Sequence, residues 1–335
     1  MKRRITLVLI LITLSSNIVI NTVAQTKNPI IVDKNGEGDY KTITEAIQNV
    51  SNGATIYIKN GEYKEIINIK KKITLIGEDK EKTIINPASE KNMYAILIAT
   101  TGVKIKNLGI TNEAPGIYTA GIRISASETT IENSNIYNTS IGVLTWTSDN
   151  TIKNCDFWGC RDEGIALLGS EYSNCDNNKI TNCVFYDNCD GIELQYSSNN
   201  IITNCEFYEN THTGIDAIAS SNNDNIIKNC NIYNNRVNGI YFSSSSRNQI
   251  INCYISDNID GNIILNKNSQ NNQISLKNSL EHNFDNTYPE NEQTDQIEYE
   301  ENQETSRVTL LSKISELISK LKMNRIITFF SSRSF

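Results

Sequence analysis

Glu193, Asp216, His212 and Tyr241 occupy related places in a phrase that this chain repeats. The phrase is a Gly, then Ile or Val, then a variable residue, then an apolar one, as in Gly191-Ile-Glu-Leu194. If the apolar residues face a core, the variable residue faces out. That outward series reads Arg123, Leu144, Ala166, Glu193, Asp216, Tyr241 and Asn262. Just before the Gly stand Asp162, Glu163, Asp190, His212 and Arg236. Neighbouring carboxylates with a His and a Tyr are the groups that general acid–base cleavage of a glycosidic bond needs. The assignment is Glu193, Asp216, His212 and Tyr241 as catalytic, with Asp162, Glu163, Asp190 and Arg236 contacting substrate. The acids would also suit Ca²⁺, although no metal site is assigned. A plain solvated face fits the same pattern, because acids beside Gly are ordinary turn residues.

What must position these groups is a repeat. The phrase Ile-x-Asn recurs at Ile105, Ile131, Ile152, Ile180, Ile202, Ile227 and Ile250, with a period of about two dozen residues. Each is followed by the Gly phrase, at Gly121, Gly142, Gly164, Gly191, Gly214, Gly239 and, more weakly, Gly261. The apolar runs are short and rich in Ile, Phe, Tyr and Val, and Asn, Gly, Ser and Asp separate them. This excludes a helical solenoid and predicts an all-β fold, a right-handed single-stranded parallel β-helix with three short strands per coil.

Stacked coils bring equivalent residues into columns. Asn154, Asn182, Asn204, Asn229 and Asn252 should form a ladder at one corner, shielding polar groups from which water is excluded. Cys155, Cys183, Cys205, Cys230 and Cys253 should form an inward ladder, with Phe157, Phe185 and Phe207 on the same face. Stacked sulfurs do not converge as a thiolate metal site requires. Cys160 and Cys189 are the pair best placed for a disulfide, and Cys175 has no evident partner. Trp146 and Trp158 suit either a core or a sugar-stacking platform.

The ends differ from the repeats. Lys2, Arg3 and Arg4 precede an apolar run, and Thr22-Val23-Ala24 offers small residues, so residues 1–24 read as a cleaved signal peptide. Residues 25–100 read as an N-terminal cap with the first coils, including a short capping helix opened by Thr42-Ile-Thr-Glu45. The repeats occupy 101–284, an acidic linker 285–306, and a C-terminal amphipathic helix and tail 307–335. That helix could cap the open coil, bind a partner or lie on a membrane surface. No stretch after residue 24 is long and apolar enough to span a membrane. The 335 residues carry a net charge of −7 and no basic stripe, which argues against nucleic acid as a partner.

The segment Val32-Asp-Lys-Asn-Gly-Glu-Gly-Asp-Tyr-Lys-Thr-Ile-Thr-Glu-Ala-Ile47, with Gly61-Glu-Tyr-Lys-Glu65, resembles the opening of pectin methylesterases. The later Gln- and Asp-bearing motifs of that family are not matched, so the resemblance implies the fold and not the esterase chemistry. The repeats, as in Ile180-Thr-Asn-Cys-Val-Phe-Tyr-Asp-Asn-Cys-Asp-Gly-Ile-Glu-Leu194, resemble the NosD and carbohydrate-binding/sugar-hydrolase β-helix family. That likeness implies a secreted or cell-surface protein that binds, and in some members processes, extracellular polysaccharide or cell-envelope glycan. If this chain is an enzyme, a lyase or glycoside hydrolase is expected. The alternatives are a non-catalytic adhesin-like surface protein and a NosD-like accessory factor in metal-enzyme maturation.

Overall fold

The computed structural model describes residues 29–87, 93–219, 221–266 and 268–277, together with the backbone of 284–285. The expected signal peptide, most of the acidic linker and the C-terminal amphipathic helix lie outside these residues. Among the described residues no helix is long and apolar enough to cross a membrane.

The chain winds as a parallel β-helix. One coil runs through Thr151–Lys153, Asp156–Trp158 and Glu163–Leu168, and the next through Lys179–Thr181, Val184–Tyr186 and Asp190–Gln195. Each strand pairs in parallel with its equivalent one coil on, so three faces form. The third face has ten strands, from Ile67–Ile69 to Phe284–Asp285. The register places Ile152, Ile180, Ile202, Ile227 and Ile250 in one column, all buried. They fill the bore with the expected Cys ladder and the Phe157–Phe185–Phe207 stack, whose centroids lie 4.9 and 4.7 Å apart.

Three Asn ladders hold the corners where one was expected. The anticipated ladder, Asn154 to Asn252, turns the first face into the second. Its residues adopt left-handed backbone with φ of 52–55°, which Asn tolerates better than other side chains. Their amides bond coil to coil, as from Asn204 Nδ2 to Asn182 Oδ1 at 3.2 Å. These side chains are exposed, which corrects the expectation that they shield groups from which water is excluded. That task belongs to two further columns. Asn150, Asn178, Asn200, Asn225 and Asn248 line the turn from the third face back to the first, each at most 2% exposed. Each Oδ1 accepts from the preceding coil, as Asn225 Oδ1 does from Asn200 N at 2.9 Å and Nδ2 at 3.0 Å. Asn188, Asn210, Asn235 and Asn258 do the same between the second and third faces.

The Gly phrase has a steric cause. A Cβ on Gly142 would strike the carbonyl oxygen of Gly164 and the Phe157 ring, and one on Gly191 would strike the Gly214 carbonyl and the Phe207 ring. Two successive positions therefore turn inward at this corner, the Gly and the Ile after it. Residues on both sides, such as Asp190 and Glu193, are then left on the outer surface.

The helix expected near the N-terminus spans Ile43–Asn49, and Thr42 Oγ1 accepts from Glu45 N at 3.2 Å. Its first N–H groups are met by a more distant residue: Glu65 accepts from Ile43 N and Thr44 N, both at 2.9 Å. Lys71 Nζ donates to the carbonyls of Ile47, Gln48 and Val50 at the other end, opposite the helix dipole. Ile43, Ala46 and Ile47 join the main core.

All eight Cys are free, Cys160 and Cys189, the pair best placed for a disulfide, included. Cys175 is buried against the carbonyls of Thr145 and Thr147. Burial pushes the thiols of Cys160 and Cys175 up from 9.0 to about 12.

Three outcomes follow. Asn200→Ala removes the acceptor of Asn178 N and Nδ2 and should cost about 2–4 kcal/mol in urea unfolding. Asn204→Gly, in the exposed left-handed ladder, should cost less than about 1 kcal/mol. A thiol-reactive dye on native protein should label Cys189 at most, and all eight thiols once the unreduced chain is denatured. Because the raised folded-state thiol values keep protons that the unfolded chain releases, stability should fall as pH rises from about 9 towards 12.

Candidate functional site

The outward side of the third face carries two columns set by the Gly corner. The first runs Ala120, Ile141, Glu163 and Asp190; the second runs Arg123, Leu144, Ala166, Glu193, Asp216 and Tyr241. Early coils are apolar here: Ala120, Ile141, Leu144, Ala166 and Leu168 form a second hydrophobic cluster outside the bore, with half-buried Trp146 packed on it. The Arg123 guanidinium lies 4.5 Å from the Trp146 ring centroid, and burial lowers its pKa from the ordinary arginine value. Later coils are acidic. Glu163, Asp190, Glu193 and Asp216 are all buried, at 1–5% exposure.

Carboxylates persist at such burial only when hydrogen-bonded or paired. Asp190 Oδ1 lies 2.8 Å from His212 Nδ1 and accepts from Thr213 N at 2.7 Å. His212 is half-exposed, so one edge of its ring remains open to solvent. One potential ligand atom from each of Asp190, His212 and Asp216 lies within 4.8 Å of the others. Register puts Glu193 beside Asp216, Asp216 beside Tyr241, and Glu163 beside Asp190.

Seven of the eight residues assigned from sequence therefore meet on or beside this face. Asp162 sits at its edge, where its carbonyl accepts from Cys189 N and Asp190 N. Arg236 is exposed on the corner before the face. Asn262 does not continue the outward column. Tyr241 pairs with Ile264, and Gly261 pairs with Asn238, so Asn262 takes the place that Gly holds in other coils. Two features escaped the sequence reading: Thr213, and the contact between Arg123 and Trp146. Thr213 had a signal, since it precedes Gly214 as Asp190 precedes Gly191.

Neither Trp is in the bore. Trp158 stands on the outer second face in a column of five rings, Tyr137, Trp158, Tyr186, Tyr208 and Tyr233, with successive centroids 4.7–5.8 Å apart. Both faces of Trp158 are covered by its neighbours, so only its edge is available to a sugar.

A family model described as "Right handed beta helix region" matches residues 75–224, and one described as "Periplasmic copper-binding protein (NosD)" matches residues 169–313. Among curated proteins, the chain is 32% identical over 171 residues to probable pectinesterase/pectinesterase inhibitor 34 of Arabidopsis thaliana, covering 46% of this chain and 28% of that protein. It is 45% identical over 62 residues to putative pectinesterase/pectinesterase inhibitor 22 of the same plant, covering 16% and 11%. The chain thus spans under a third of the length of these relatives. A solved rhamnogalacturonan lyase superposes with a TM-score of 0.58 at 14% identity, covering 80% of this chain and 89% of that one. The copper in the second family description calls for soft or imidazole-rich donors. Among the described residues His212 is the one imidazole; the Cys ladder faces the bore and Met93 is a lone exposed residue. With its parallel coils and these matches, the chain is a right-handed β-helix protein.

Proposed function

We propose that this chain works outside the cytoplasm as a polysaccharide-binding protein and that its outward third face both holds and cleaves the glycan. One observation carries the reading: four buried carboxylates and the Asp190–His212 contact adjoin an apolar patch bearing Trp146 under Arg123. Apolar surface for sugar rings beside polar groups for hydroxyls is what a glycan site requires. The names of the pectinesterase relatives and of the rhamnogalacturonan lyase support a polysaccharide partner. The periplasmic family description and the basic, then apolar, N-terminal sequence support an exported protein.

In this reading Asp190 holds the His212 imidazole, and His212 exchanges a proton with bound sugar. Glu193 and Asp216 stand one strand spacing apart, about 4.8 Å. That is nearer the separation of about 5–5.5 Å at which one carboxylate attacks directly than the wider gap that admits a water. Tyr241, next in the column, donates to a sugar oxygen, and Glu163, Asp162 and Arg236 contact flanking residues of the glycan.

A glycan-array screen followed by a reducing-end assay on each hit tests this. Glu193→Gln with Asp216→Asn should lower release of sugar ends by at least about 100-fold. Trp146→Ala should weaken binding about tenfold, or about 1.4 kcal/mol, with a smaller effect on turnover. Absence of binding to any glycan would leave a non-catalytic surface protein as the better account.

A further inference from the structure

The cluster Asp190, His212 and Asp216 has a geometry that acid–base chemistry alone does not demand. One oxygen or nitrogen from each comes within 4.8 Å of the other two, although the three residues come from two coils. Asp190 and Asp216 are 3% and 5% exposed, so their charges are largely removed from water. A fourth group adjoins them. Thr213 follows Asp190 in the outward column, and its backbone N–H is bonded to Asp190 Oδ1. Its side-chain Oγ1 is buried and takes no hydrogen bond. Buried hydroxyls without a partner are uncommon, and each calls for an explanation such as a bound ion.

We propose that these residues form a site for a first-row divalent cation of the Zn²⁺ class. The donor set is one imidazole nitrogen, two carboxylates and a hydroxyl. Calcium and magnesium prefer all-oxygen sets with more ligands, whereas an imidazole selects the borderline cations. Zn²⁺ bonds of about 2.0–2.2 Å place tetrahedral ligands about 3.4 Å apart. Loading would draw the widest pair together by at most about 1.4 Å, a movement within side-chain reach. This inference rests on the same site as the glycan reading, gives His212 and Asp216 to the ion instead of to the sugar, and does not need a glycan to be tested.

The experiment is calorimetric titration of the full chain, stripped of metal, with Zn²⁺ and no sugar present. One equivalent should bind, and millimolar Ca²⁺ should not displace it. His212→Gln and Asp216→Asn should each weaken binding by at least tenfold. Thr213→Val keeps the shape of the side chain and should weaken binding several-fold while leaving the circular dichroism and melting temperature unchanged. That outcome would not follow from a purely structural role, and it serves if Asp216→Asn fails to fold. The proposal is overturned if the unsubstituted chain binds no Zn²⁺. It is equally overturned if His212→Gln and Thr213→Val bind as tightly as the parent, or if Ca²⁺ displaces the ion. Glycan binding lost in Glu193→Gln would leave this result untouched, so the two readings fail separately.

Discussion

At each corner of the coil the backbone must turn within a few residues, and its N–H groups then point along the stack, away from any strand partner. Buried without an acceptor, each such group would cost on the order of 1–3 kcal/mol. The amide of Asn answers this: Oδ1 accepts from the coil before, while Nδ2 donates onward. Asn178 takes Asn200 Oδ1 on its backbone N at 2.8 Å, and Asn200 in turn takes Asn225 Oδ1 at 2.9 Å. No coil is satisfied by itself. Each depends on the next for its corner as well as for its strands, which is why neighbouring coils must keep register even where turns differ in length.

The Gly corner depends on that register. It holds only if each Gly carbonyl sits where the previous coil has no Cβ, as between Gly142 and Gly164. Once it holds, outward columns appear on both sides of it. The candidate site is therefore a by-product of bore packing: the Phe207 ring that excludes a Cβ at Gly191 also sends Asp190 and Glu193 to the same outer surface. The acids are assembled from adjacent coils, and no single loop builds the site.

Columns with one dominant residue type were legible in the sequence, because a period near two dozen residues repeats them plainly. The Ile, Cys and Phe columns and the first Asn ladder were found this way. The buried Asn column at Asn150–Asn248 was equally periodic, always two residues before the Ile, but it sits among other Asn and Ser residues that mask it. Thr213 was hidden because it is neutral where the two residues before it in the column, Glu163 and Asp190, are acids. Arg123 and Trp146 meet only across coils, so their contact depends on register and rotamer and not on spacing alone. Asn262 was misplaced because Gly261 lies one residue earlier in the register than the other Gly residues, a shift that the phrase itself does not reveal.

The column of rings on the second face has an optical consequence. Trp158 is sandwiched between Tyr137, 4.7 Å away, and Tyr186, 5.8 Å away, with planes within 12° of parallel. Tyr208 and Tyr233 extend the same array. Excitation absorbed by any of these tyrosines has a short path to a single indole, so their own emission is quenched into that of Trp158. The other indole, Trp146, sits beneath a guanidinium on a different face. The protein thus carries two intrinsic chromophores of distinct character, one reporting on the stacking of consecutive coils and the other on the surface beside the acidic cluster.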